Sequence, residues 1–338
     1  MSMCTQPLGR ARPSPRTVRI GKIVFGSAVA LGLIADFNDV APGSEQAQVH
    51  IAGTRPFADT SPFNTPVNPD PLIDANSAAM VAQAARTGMV HANLYEYGIP
   101  IYTATASTPK HAVDCTGPAT WGVCPFESRA MPIPAGAVPN RGSDGVMAVI
   151  DTATGTVGEY WQVNSPARSS TSTTWGAVNL VSGSGWGGSS TGAGASRIGG
   201  VVRIAEIEAG VIDHALVMQS DNVCKDVFRP PALKTDGEST RRDCLPAGAR
   251  LQLDPGLDVS TIDGITPGEV TVARALQIHG AYVIDRADTS LSISFELAPD
   301  ATSSSPGSVY QEAGFAWDYY GMPNIPWDKL RVLDAWED

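Results

Sequence analysis

The chain has 338 residues, enough for one large or two ordinary domains, with 43% hydrophobic and only 17% charged residues. That apolar share supports a packed core and argues against global disorder, while 34 Gly and 26 Pro predict frequent turns and short elements. The formal net charge is −11 and the basic residues are scattered beyond the N-terminal stretch, so a nucleic-acid partner is not expected.

Arg10, Arg12, Arg16, Arg19 and Lys22 precede an apolar run at 23–35, too short for a bilayer span but suited to a signal h-region. Residues 1–47 are therefore expected to form an export signal and flexible segment; the competing reading is a buried strand or helix. Neither Ile34-Ala35 nor Gln46-Ala47 makes a clean cleavage site. No later run suits a membrane span, so the processed chain is expected to be secreted or at the cell surface without stable membrane insertion. Cys4 lies ahead of the presumed cleavage point and leaves an even four. The spacing predicts disulfides Cys115–Cys124 and Cys224–Cys244, chosen from three connectivities on proximity alone. Zinc is the alternative, but no C-x2-C or nearby histidine pair supports a metal.

Residues 48–338 are expected to form a single domain. Residues 36–75 read as a Pro- and Asp-rich arm lying over it. Asn76 is placed to cap a helix over 77–87 that Gly88 stops. Strands follow at 99–104, 146–151 and 158–163, the last two joined by a hairpin loop at 152–156. The Ser-, Thr- and Gly-rich stretch 165–199, with Trp175 and Trp186, reads as a long loop closing over one face rather than a linker. A short helix at 204–210 and strands at 211–218 and 249–253 come next. The strongest helix signal is 267–279, with Thr266 as cap, Pro267 in the first turn and Glu269 completing a capping box. Strands follow at 282–284 and at 291–297, where Leu291, Ile293, Phe295 and Leu297 alternate with Ser292, Ser294 and Glu296. The tail is aromatic, and no repeat is visible. Dominant strands and few, short helices predict a mostly β fold, a two-sheet β-sandwich of jelly-roll type.

Two clusters carry candidate chemistry. Arg203, Glu206 and His214 combine an anion stabiliser, an acid and a base. In strand register, though, His214 shares a face with Ile212 and Leu216, as a core histidine would. Across the hairpin, Asp144, Asp151, Glu159 and Tyr160 offer paired carboxylates beside aromatic rings, a set suited to glycosidic chemistry; Asp at turns is also ordinary structure. Trp161, Trp175, Trp186, Trp317 and Trp327 are either ring platforms for sugars or core fillers. Gln277-Ile278-His279 matches the Q-[IV]-H triplet of alginate-lyase-like jelly rolls, but it ends a capped helix where that family has a strand. No G-x-S-x-G, H-E-x-x-H, P-loop or G-x-G-x-x-G occurs, and no cofactor is expected.

Four segments together carry a resemblance. They are Gly142-Ser143-Asp144-Gly145-x-Met147 running to Asp151 with Glu159-Tyr160-Trp161-Gln162, then Arg203-x2-Glu206-x3-Gly210-x-Ile212-x-His214-Ala215-Leu216. Pro246-x-Gly248-x-Arg250-x2-Leu253 and Ala275-Leu276-Gln277-x2-Gly280-x-Tyr282-x2-Asp285 complete the set. The chain resembles a family of exported bacterial β-rich proteins of unassigned function, over roughly residues 60–335. The resemblance implies a shared β-rich fold and export; Val146 stands where it would place a histidine. The expected function is a polysaccharide hydrolase or lyase using Glu206, His214, Asp144 and Glu159, with Trp161, Tyr160, Arg203 and Trp186 holding the glycan. The alternative is a glycan-binding or cell-surface protein without catalysis.

Overall fold

The computed structural model describes residues 55–164, 171–188 and 190–334; the expected export segment at 1–47 lies outside them. In chain order the first strands are β1 (His91–Asn93), β2 (Ile101–Ala104), β3 (Lys110–Cys115), β4 (Ala130–Pro132), β5 (Met147–Asp151), β6 (Thr156–Asn164) and β7 (Thr171–Leu180). They continue as β8 (Leu216–Ser220), β9 (Val223–Phe228), β10 (Leu245–Ala247), β11 (Arg250–Leu253), β12 (Ala281–Arg286), β13 (Ser292–Ser294) and β14 (Leu330–Val332). The helices are α1 (Ser77–Ala84), α2 (Ile204–Ala209), α3 (Pro267–Ile278) and α4 (Ser308–Glu312).

Two six-stranded sheets, with a two-stranded one of β10 and β9, organise the described residues. The first has the order β1-β13-β8-β12-β11-β14, and the second β2-β5-β6-β7-β3-β4. A β-rich architecture with two large sheets and few short helices is thus present. The jelly-roll connection is not what the pairing displays, because both sheets are mixed. β1 with β13, β8 with β12, β2 with β5 and β3 with β7 all run parallel. A jelly roll joins antiparallel strands. Side-chain alternation is the same in either direction, so the sequence pattern does not distinguish them.

Local signals explain several elements. At α3, the Thr266 hydroxyl accepts the Glu269 N–H (3.2 Å) and the Glu269 carboxylate accepts the Thr266 N–H (2.9 Å), the reciprocal cap that spacing predicts. At α1, Asn76 makes no side-chain cap and instead donates to the Arg242 carbonyl (2.7 Å). The helix ends at Ala84, short of the predicted 87. The strand expected from 211 begins only at Leu216. The expected long loop at 165–199 is corrected more deeply. Residues Thr171–Leu180 form the longest strand among the described residues, paired antiparallel to β6 from Thr156↔Leu180 to Asn164↔Ser172. Thr-rich polar sequence suits a pleated surface when tertiary pairing is available.

Alternation along β5 divides two cores. Ala148 and Ile150 enter the main core between the sheets, while Met147 and Val149 join Tyr160, Phe126, Met131 and Ile133 beneath the second sheet. The arm is bound to the domain: Phe57 and Phe63 are buried, and Arg250 donates to the Thr65 carbonyl (2.6 Å). Both expected disulfides, Cys115–Cys124 and Cys224–Cys244, are formed. No helix among the described residues is long and apolar enough to cross a membrane.

Candidate functional site

A cleft of about 980 Å³ opens between one end of the first sheet and the strands of the second, at the upper end of what small-molecule sites enclose. Its floor is one row of cross-strand neighbours: His91 on β1, Ser292 on β13, Gln219 on β8 and Asp285 on β12. Ala92, Ile293 and Met218 point to the other face and are fully buried. Polar side chains therefore meet on the cleft side, and they satisfy one another. Asn93 donates to the Ser292 hydroxyl (3.3 Å), Ser292 to Gln219 Oε1 (2.9 Å), and Gln219 Nε2 to the Ser294 hydroxyl (2.9 Å).

Asp285 reaches this row through a bulge. Val283 faces Met218 and Asp285 faces Gln219, so Ile284 is the extra residue. In an unbulged strand Asp285, two residues after Val283, would share the Val283 and Met218 face. The side chain is 14% exposed. Its carboxylate lies 3.1 Å from Arg197 Nη1 and accepts the Gly192 N–H. Burial pushes the carboxyl up to about 7; Arg197 opposes the rise, and the Asp236 and Asp144 carboxylates add to it. Gly192 is confined on its other side too, since a Cβ there would stand 2.2 Å from Asp236 Cγ.

Arg197 is held from behind by Glu159. That fully buried carboxylate accepts from Asn179 Nδ2 (2.9 Å), Ser190 Oγ (3.1 Å), Ser196 Oγ and the Arg197 N–H (2.8 Å). Burial raises its pKa, and the Ser196, Arg197 and Asn179 donors hold the rise back. Glu159 does not line the cleft; it fixes the 190–197 loop that does.

The opposite wall is aromatic. Trp161 and Trp175 are direct cross-strand partners on β6 and β7, and Trp121 packs on both at centroid distances of 6.2 and 5.9 Å. Trp121 is 49% exposed and belongs to a single 3₁₀ turn inside the Cys115–Cys124 loop. The Gly117 N–H donates to the Thr174 carbonyl (2.9 Å), fastening that loop to β7. Replacing both cysteines with serine is expected to lower the unfolding free energy by about 2 kcal/mol. It should also weaken the near-ultraviolet circular dichroism of the packed indoles; an unchanged spectrum would show that the disulfide does not position Trp121.

Asp144 stands beside this platform, accepting the Trp161 indole N–H (3.3 Å). The Gly-Ser-Asp-Gly segment owes its shape to its glycines. A Cβ at Gly142 would strike the Tyr97 ring at 2.5 Å, and Gly145 sits at φ +44°. Val146 lines the cleft as well, at the position where the resemblance places a histidine. Asn140 is 5% exposed, accepts the Val146 N–H with its oxygen (3.1 Å) and leaves Nδ2 without a partner.

Of the residues singled out by sequence, Asp144, Trp161 and Trp175 line the cleft. Glu206 and His214 do come together, with His214 Nε2 3.0 Å from Glu206 Oε1, but both are sealed at 3% and 2% exposure and neither reaches the cleft. Arg203 is committed to Glu296 (2.8 Å). Tyr160 faces the second core, stacked on Phe126, because it points opposite to Trp161 on the pleat. Trp186 packs on Phe63 at 5.2 Å and leans on the main core. Trp327 is buried as well. His279 caps α3 and sits 3.3 Å from Asp213, with burial pushing its pKa down to about 4. Asp285, Arg197 and Trp121 are the residues that sequence reading passes over as functional. The one local signal was an acid inside the otherwise apolar run AYVID.

Among the described residues, no group of three or more His, Cys, Asp or Glu side chains is placed to hold a metal ion. No protein-family model, curated protein or solved structure matches this chain.

Proposed function

We propose that this is a secreted carbohydrate-active protein that binds a polysaccharide in the cleft and cleaves it by hydrolysis or elimination. One observation carries the reading: a carboxyl pushed up to about 7, Asp285, shares a single cavity with the Trp121, Trp161 and Trp175 platform. A carboxyl that keeps its proton near neutral pH suits protonation of a leaving glycosidic oxygen. Indole faces suit the apolar faces of sugar rings, and the hydroxyl and amide floor suits their hydroxyls. Asp144 is the second carboxylate of the pair, set against the platform. Two disulfides support an oxidising compartment.

The test is incubation with a panel of polysaccharides, scoring new reducing ends and the absorbance of unsaturated sugars. New products with either signature support the reading. Retention of a polymer without products would replace it with the second reading, a glycan-binding protein, which the aromatic wall and neutral floor are enough to sustain. In both cases Trp161→Ala is expected to weaken retention on the polymer by about thirty-fold, the loss typical of a central aromatic anchor. An unaltered affinity in that variant would remove the cleft from consideration.

A further inference from the structure

We infer, resting on the function proposed above, that the polymer held in this cleft is uncharged and that its bonds are broken by hydrolysis rather than elimination. Elimination acts beside a sugar carboxylate. A base takes the proton on the carbon next to that group, and negative charge builds on the carboxylate as the glycosidic bond leaves. A cleft that does this is helped by cations free to meet the carboxylate.

The cations here are already engaged. Arg197 gives one amino group to Asp285 (3.1 Å) and the other to the Ser190 carbonyl. Arg286 is paired with Glu238 at 2.7 Å. That leaves Lys234 on a wall that also carries the carboxylates of Asp144, Asp236 and Asp288. With a chain charge of −11 behind them, an approaching polyanion is repelled at long range and meets like charge on arrival.

The remaining polar surface is neutral. Asn93, Ser292, Gln219 and Ser294 present amide and hydroxyl groups that can both donate and accept. The orphaned Asn140 Nδ2 is a donor with nothing to satisfy it in the protein, a state that costs free energy unless something else supplies an acceptor. Sugar hydroxyls meet these needs without bringing charge. In hydrolysis the protonated Asp285 gives its proton to the glycosidic oxygen as the bond from the anomeric carbon to that oxygen breaks. Water attacks the anomeric carbon and passes a proton to Asp144. One new reducing end and one new alcohol result, and solvent returns the proton from Asp144 to Asp285.

Affinity electrophoresis of the full chain through gels holding a neutral β-glucan, xylan or galactomannan, against polygalacturonate or alginate, tests this. A neutral polymer is expected to retard the protein with an affinity at least about ten-fold above that of either polyanion at low salt, and added salt should narrow the gap. Gln219→Ala and Asn93→Ala are each expected to weaken neutral retention by about ten-fold, through loss of a floor hydrogen bond. Products should carry reducing ends without unsaturated-sugar absorbance. Equal or stronger retention by a polyanion, or unsaturated products, would overturn this inference while leaving the glycan reading standing. No retention by any polymer would overturn both.

Discussion

Replacing Asp285 with asparagine is expected to lower turnover by about a hundred-fold or more, while polymer retention changes only a few-fold. The amide keeps the shape and an acceptor for the Gly192 N–H but has no proton to give at the leaving oxygen. The pH dependence has a definite sign. The wild-type carboxyl carries its proton below about 7, so turnover should fall as pH rises through that value. The same residue affects stability. Its folded-state pKa lies above the ordinary aspartate value, so the stability it contributes is present at acid pH and lost as pH rises through about 7. Melting temperatures of wild type and Asp285→Asn, followed from acid to alkaline pH, should therefore move apart in favour of the variant. Turnover in the variant equal to wild type would remove Asp285 from the chemistry, whatever the melting curves show.

Glu206→Ala is expected to be the most destabilising single change among the residues considered, by about 3–5 kcal/mol in unfolding free energy. It leaves His214 buried without its partner and the Arg203 N–H without its acceptor at 2.9 Å. Burial works against a charged His214. The Glu206 carboxylate, by charge and hydrogen bond, and the Ala215 carbonyl outweigh it, and the ring titrates above its ordinary value. The pair's stabilisation is thus fully present below the usual histidine pKa of about 6.5 and is lost as pH rises through the raised one. Chemical denaturation at several pH values should show the gap between wild type and Glu206→Gln narrowing in alkali. Variants that stay folded should retain polymer normally, because the pair does not line the cleft. If Glu206→Gln instead kept full stability and lost turnover, the chemistry would belong to the Glu206–His214 pair after all.

Short-range information settled much of this protein. The Thr266–Pro267–Glu269 cap and the alternation in 291–297 each depend on residues within one turn or one strand, so they are readable along the chain. The cysteine pairs lie 9 and 20 residues apart, close enough for proximity to guide the choice. The Gly-Ser-Asp-Gly turn and Trp161 were likewise visible because hairpin neighbours share one face. Tertiary structure decided the rest. Strand β7 forms in Ser- and Thr-rich sequence because β6 and β3 flank it, and the parallel pairings follow from chain crossovers that side-chain periodicity does not encode. His214 stood in a strand register that suits either a catalytic base or a core histidine, and the fold buries it against Glu206. The cleft itself collects side chains from segments as distant as Asn93, Trp121, Arg197 and Asp285. Its candidate proton donor faces the substrate space because one extra residue in β12 turns it there. A bulge is a property of two strands in register, which is why only the folded chain reveals it.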